Sequence, residues 1–178
     1  VVLRAGPELR LDESVGTDAK DANAADETDP AAAANAIGFD TIAGKDLFTE
    51  TTDFGSDGKA KSDDTVFALT LASKVSGLTD TASGEAVELT LTAGGVIEGK
   101  TATGGALVLT ISVDKTDGDV TVNQFRAVVH DDSKDPDEAG TSSETIDKDV
   151  VGLKLTVTDG DKDTATDSVD LGPIINLE

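Results

Sequence analysis

Val150-Val151-Gly152-Leu153-Lys154-Leu155-Thr156-Val157-Thr158-Asp159-Gly160-Asp161-Lys162-Asp163-Thr164-Ala165-Thr166-Asp167-Ser168-Val169-Asp170-Leu171 reads as two strands joined by an acidic turn. Apolar residues alternate with Lys, Thr, Ser and Asp at a period of two, the mark of strands with one buried face. Leu153, Leu155 and Val157 share a face with Asp159, while Val169 and Leu171 share a face with Asp167. That phase puts two carboxylates at the rim of the core.

The same alternation runs through Val66–Leu71, Ala86–Thr92, Ala106–Val113 and Val120–His130, with shorter candidates at Leu9–Leu11, Val96–Glu98 and Pro173–Leu177. Ser83-Gly84, Gly94-Gly95, Gly104-Gly105, Asp117-Gly118 and Asp159-Gly160 punctuate the runs, and tight hairpins place glycine where φ must be positive. Short strands with uneven loops predict an all-β fold, an antiparallel β-sandwich of Ig-like or cadherin-like type with long acidic loops. One module over residues 1–178 is expected, a length that can bury a sizeable core. Residues 16–36, rich in Asp, Ala, Asn and Thr around Pro30, read as a mobile loop or insertion. Asp131–Glu144 reads as a second long loop, and Ala31–Ala34 and Ile42–Phe48 as single helical turns at most.

Composition narrows the function classes. Against 14 Lys+Arg stand 36 Asp+Glu, a formal charge of -22 that repels nucleic acid and anionic lipid. The acids divide into 26 Asp and 10 Glu, and Asp in loops is what oxygen-ligand metal sites use. The absence of Cys rules out a disulfide framework, a Cys-ligated zinc and a thiol nucleophile. No Trp, no Tyr and only five Phe leave little aromatic surface for a sugar ring. No apolar run approaches the roughly 20 residues of a membrane span, and Val1–Pro7 is too short and broken for a signal peptide.

Asp159, Asp161 and Asp163, followed by Asp167, form the strongest candidate site. Two unit charges about 5 Å apart repel by roughly 0.8 kcal/mol in water and by more near a protein surface, so the crowding asks for a hard cation such as calcium. The spacing resembles the opening of an EF-hand loop, but Thr164 stands where that loop requires Gly, and a strand follows in place of a helix. The plain alternative is a solvated acidic turn. Asp114, Asp117 and Asp119 form a second candidate, where Asp-Gly is equally a hairpin turn in its own right. Asp147 and Asp149 precede the long strand, and Asp12 with Glu13 follow the short one near the N-terminus. His130 is the single His, and no nucleophile elbow, zinc-protease helix or phosphate loop surrounds it; no enzyme activity is expected.

Leu11-Asp12-Glu13-Ser14-Val15-Gly16, Phe54-Gly55-Ser56-Asp57-Gly58, Val120-Thr121-Val122-Asn123-Gln124 with Ala127 and His130, and above all Thr156-Val157-Thr158-Asp159-Gly160-Asp161-Lys162-Asp163-Thr164-Ala165-Thr166-Asp167 resemble a long extender repeat of type I-secreted RTX adhesins. The resemblance spans Leu11 to Leu171, although the glycine-rich nonapeptide repeats of RTX regions are absent. It implies a calcium-binding, extracellular module at a bacterial cell surface. Such a module stiffens a fibre that projects a ligand-binding region for adhesion and biofilm formation. Expected partners are calcium ions and neighbouring modules of the same chain, without nucleic acid or membrane insertion, and the isolated module is expected to be monomeric. The competing reading is a calcium-dependent module of the same adhesins that binds a peptide or a sugar.

Overall fold

The computed structural model describes residues 8–11, 33–48, 58–61, 64–130 and 143–177. Among the described residues, twelve strands, one four-residue helix and one 3-10 turn follow each other. The order is β1 (Leu9–Leu11), β2 (Gly38–Ile42), α1 (Gly44–Leu47), β3 (Thr65–Leu71), β4 (Val75–Thr79), β5 (Ala86–Leu91) and β6 (Ile97–Thr101). Then come β7 (Leu107–Val113), β8 (Val120–Gln124), β9 (Glu144–Thr145), β10 (Val151–Thr158), β11 (Thr164–Asp170), the 3-10 turn Gly172–Ile174 and β12 (Ile175–Leu177). No helix among the described residues is long and apolar enough to cross a membrane.

The chain adopts the expected all-β class. The largest sheet has the order β2-β8-β7-β6-β5-β4, in which β4 to β8 form a meander. A second sheet, β11-β10-β3, packs across it with β3 over β5 and β7. β3 begins against the β7–β8 turn, where the Phe67 N–H donates to the Lys115 carbonyl at 3.0 Å. It ends three residues before β4, at the far edge of the large sheet.

The third sheet, β1-β12-β9, reaches both edges of the large one: β1 lies against β2 and β8, and β9 against β4. A flat six-stranded sheet would hold those edges too far apart, so the sheet is curled around its contents. β1 and β12 pair in parallel, Leu9 opposite Ile175 and Leu11 opposite Leu177, the one parallel pair among otherwise antiparallel ladders of the described residues.

The alternation seen in the sequence becomes burial. Val151, Leu153, Leu155 and Val169 face inward from the smaller sheet, meeting Val87, Leu89, Ile97, Leu109, Ile111 and Val122 from the larger one. Four of the five glycine turns adopt positive φ at Gly84, Gly95, Gly105 and Gly118. The fifth differs: at the Asp159–Asp163 tip the left-handed residue is Lys162 (φ 81°), not Gly160.

Other differences have physical reasons. The run read as Val120–His130 ends its ladder with β7 at Gln124, and after a last bond from the Phe125 N–H to the Val108 carbonyl the chain crosses to the opposite edge, where Val128 and Val129 meet β4. Pro173 opens a 3-10 turn rather than a strand, as a residue without an N–H suits a turn start. The helical turn expected within Ile42–Phe48 is α1, whereas Ala31 and Ala32, residues 16–32 and residues 131–142 lie outside the described residues.

Candidate cation site

β10 and β11 pair in full register from Gly152 opposite Asp170 to Thr158 opposite Thr164, which leaves residues 159–163 as the tip. The Asp159 N–H donates to the Asp163 carbonyl at 3.0 Å and the Lys162 N–H to the Asp159 carbonyl at 3.3 Å. The Asp163 N–H points inward, donating to Asp159 Oδ1 at 2.9 Å and to Asp161 Oδ1 at 3.4 Å. This fold-back brings carboxylate oxygens of Asp159, Asp161 and Asp163 within 4.8 Å of one another, a cluster that could hold a metal ion. Asp159 is half-buried at the rim of the core, as the strand phase requires, and Asp161 and Asp163 are exposed.

A segment that the sequence pattern does not mark braces the tip. Gly160 N–H donates to the Gly58 carbonyl at 2.8 Å, and Lys59 forms a β-bridge with Asp159. The Ala60 N–H donates to the Thr158 carbonyl at 3.2 Å, and the Thr158 N–H to the Asp64 carbonyl at 2.8 Å. Lys59 and Asp64 form an ion pair at 3.1 Å. The base of the loop is thus held from both sides while its carboxylates stay open to solvent.

Electrostatics show the crowding directly. A hydrogen bond between the two carboxyl groups holds Asp159 below the usual carboxylate range and pushes Asp161 above it. Two carboxylates that close disfavour each other's ionisation, and the shift belongs to the pair. A divalent cation between them would remove that conflict.

The remaining sequence candidates fall elsewhere. Asp167 sits opposite Leu155, half-buried, and accepts the Ser168 N–H at 2.7 Å. It lies three residues up β11 from Thr164, about 10 Å away, and does not join the triad. Asp147 and Asp149 precede β10 whereas Asp159 follows it, and eight strand residues span about 26 Å. They cannot share an ion with the tip. Asp147 donates its N–H to the Ser76 carbonyl at 2.8 Å and lays its carboxylate over Gly77. Asp149 adopts positive φ (62°) and donates its N–H to Asp170 Oδ2 at 2.7 Å.

In the β7–β8 turn, Asp114 Oδ1 accepts the Thr116 N–H at 2.8 Å and the Asp117 N–H at 3.3 Å, bonds that lower its pKa. Asp119 Oδ1 accepts the Gly44 N–H at 3.0 Å and so caps α1. These acids serve the turn and the helix. Among the described residues only the tip gathers three metal-ligating side chains. Asp12 and Glu13 lie outside the described residues.

A cleft of about 750 Å³ opens between α1, the start of β3 and the β7–β8 turn, lined by Gly44, Phe48, Lys59, Asp64, Phe67 and Asp117 among others.

Fold and site together define an acidic all-β module with a carboxylate-lined hairpin tip able to take a cation. The chain belongs to the family described as Domain of unknown function (DUF5801), whose model matches residues 8–172. No curated protein and no solved structure matches it.

Proposed function

We propose that the chain is a calcium-stabilised structural extender module of a large secreted bacterial RTX adhesin, one of a series that projects a ligand-binding region from the cell surface in adhesion and biofilm formation. Its role is mechanical rather than catalytic. The observation that carries this reading is the triad Asp159, Asp161 and Asp163 at the tip of the β10–β11 hairpin, anchored at its base and open outward. Three carboxylates offer six oxygens, and calcium takes 6–8 in flexible geometry, with water completing the shell. Magnesium, which demands a near-ideal octahedron and dehydrates reluctantly, fits such a set less well.

The parallel pairing of β1 with β12 supports a role in series. A chain that enters this pair at Leu9 and leaves it at Leu177 is heading the same way at both points. An antiparallel pair would return it toward its start.

The mechanism follows from charge. With a formal charge of -22, the chain repels itself when cations are scarce, and a site that binds only the folded state pulls folding forward by mass action. At 100 times the dissociation constant one such site adds about 2.7 kcal/mol, a large part of a typical stability of about 5 to 15 kcal/mol. Export in a low-calcium interior and folding outside are then one process. Calorimetric titration of the wild type beside an Asp161→Ala, Asp163→Ala variant tests this, with magnesium as a parallel arm. One calcium site should disappear in the variant; identical calcium heats in both proteins would remove the assignment.

A second reading, a calcium-dependent peptide- or sugar-binding module, draws on the cleft beside Asp64 and Lys59, whose lining continues toward the brace of the tip. It calls for calcium-dependent binding of a peptide or glycan that is lost on blocking the cleft at Thr65.

A further inference from the structure

Asp80 is the one fully buried charged side chain among the described residues, with 0% exposure, and the cation site makes no use of it. Its carboxylate accepts Arg126 Nε at 2.8 Å and Arg126 Nη2 at 2.9 Å, a two-pronged guanidinium contact. The Ser83 N–H (2.8 Å) and the Ser83 hydroxyl donate to the same carboxylate. Four donors saturate what a carboxylate can accept. Nothing in the β4–β5 turn alone demands this, since Ser83 already holds the turn and the Gly84 N–H reaches the Asp80 carbonyl at 2.8 Å.

What Arg126 adds is a connection across the sheet. Arg126 lies in the segment that leaves β8 after Gln124 and crosses to the outer edge of β4. There Val128 bridges Asp80, the Thr81 N–H donates to the Ala127 carbonyl at 3.0 Å, and the Val129 N–H donates to the Thr79 carbonyl at 2.8 Å. In a flat sheet β8 and β4 would stand four strand spacings apart, about 19 Å, and the far side of β4 one spacing more. The four residues from Gln124 to Val128 reach at most about 14 Å. The contact therefore exists only while the large sheet is curled at this end.

We infer that residues 125–129 form a strap across the curled sheet and that the Asp80–Arg126 pair is its buckle, so that loss of the pair opens the β4 edge locally and leaves the rest of the sandwich folded. Apart from the pair the strap is held mainly by backbone bonds, the Phe125 N–H to the Val108 carbonyl at 2.7 Å and those to the β4 edge, and it buries little: Val128 is buried, but Val129 is 47% exposed and Phe125, Arg126 and Ala127 are only half-buried. By contrast the β7–β8 ladder pairs without a break from Leu109 opposite Gln124 to Val113 opposite Val120 and carries fully buried side chains. Regions with few buried contacts open with less free energy than core strands.

Amide hydrogen exchange on the whole chain tests this in wild type, Asp80→Asn and Arg126→Lys, the last keeping the charge but losing the fork. Leu153→Ala, a truncation of a side chain with 0% exposure, supplies the pattern of global destabilisation. Both buckle variants should accelerate exchange at the Thr81 and Val129 amides by about tenfold or more relative to the β7–β8 ladder, whereas Leu153→Ala should accelerate all of them together. Should Asp80→Asn fail to fold, Arg126→Lys decides alone. Unchanged rates at Thr81 and Val129, or acceleration shared equally with the β7–β8 ladder, would overturn the inference.

Discussion

Replacing Gly118 by Ala puts a methyl group where the β7–β8 turn meets β3. Gly118 has φ 77°, a left-handed conformation that costs an L-residue about 1 to 2 kcal/mol. The added Cβ would also stand 2.8 Å from Cδ1 and Cε1 of Phe67 and 3.0 Å from its Cγ. That ring has little room to retreat, because Phe67 is 5% exposed and packs against Phe48 with ring centroids 5.8 Å apart. Overpacking of this kind costs about 1 to 3 kcal/mol more, for a total of about 2 to 5 kcal/mol. Gly84→Ala is the matched control: its φ is 68°, and nothing lies within 4 Å of the new Cβ. Gly118→Ala should therefore melt roughly 2 to 12 °C below Gly84→Ala, the difference being the Phe67 contact alone. Phe67→Leu should couple favourably with Gly118→Ala in a double-mutant cycle. Equal melting temperatures for the two glycine variants, with no coupling to Phe67, would refute the packing argument.

Two further outcomes follow from the charges. Hydrogen bonds from Arg126, with Ser83, hold Asp80 well below the usual carboxylate range, so its contribution is complete above its unfolded pKa and lost as pH falls below it. In chelator, the stability gap between wild type and Asp80→Asn should stay constant from neutral pH to about pH 4 and narrow below that; a gap that persists into stronger acid would contradict it. At the tip the two opposite shifts belong to the Asp159–Asp161 pair, and removing one of two crowded carboxylates relieves their mutual repulsion. Asp161→Asn should therefore stabilise the protein in chelator yet reduce the stabilisation gained from calcium, and melting curves that move the same way in both conditions would argue against a cation at the tip.

The hairpin β10–β11 was legible because one buried face imposes a period of two, and burial follows it from Val151 to Leu155. β4 was not legible: its inward residue Ser76 is polar and is buried only because its hydroxyl donates to the Val87 carbonyl. β2 was hidden likewise by Gly38, Asp40 and Thr41, whose pairing with β8 is set by long-range contact. The acid triad could be read from spacing, since residues two apart in a tight tip converge once the Asp163 N–H turns inward. Asp167 could not be excluded that way, because strand phase gives the face of a residue and not its height along the strand. Asp147 and Asp149 carried the clue that they precede the strand Asp159 follows. The Asp80–Arg126 pair left little trace, its partners standing 46 residues apart with no pattern between them.

The most direct measurement is the thermal melting of the wild-type chain in excess chelator and in calcium at about 100 times the titrated dissociation constant. One site selective for the folded state adds about 2.7 kcal/mol there, and a chain of this length converts that to a rise of roughly 5 to 11 °C. The same rise should be absent in Asp161→Ala, Asp163→Ala. Coincident melting curves for the wild type with and without calcium would contradict the central claim.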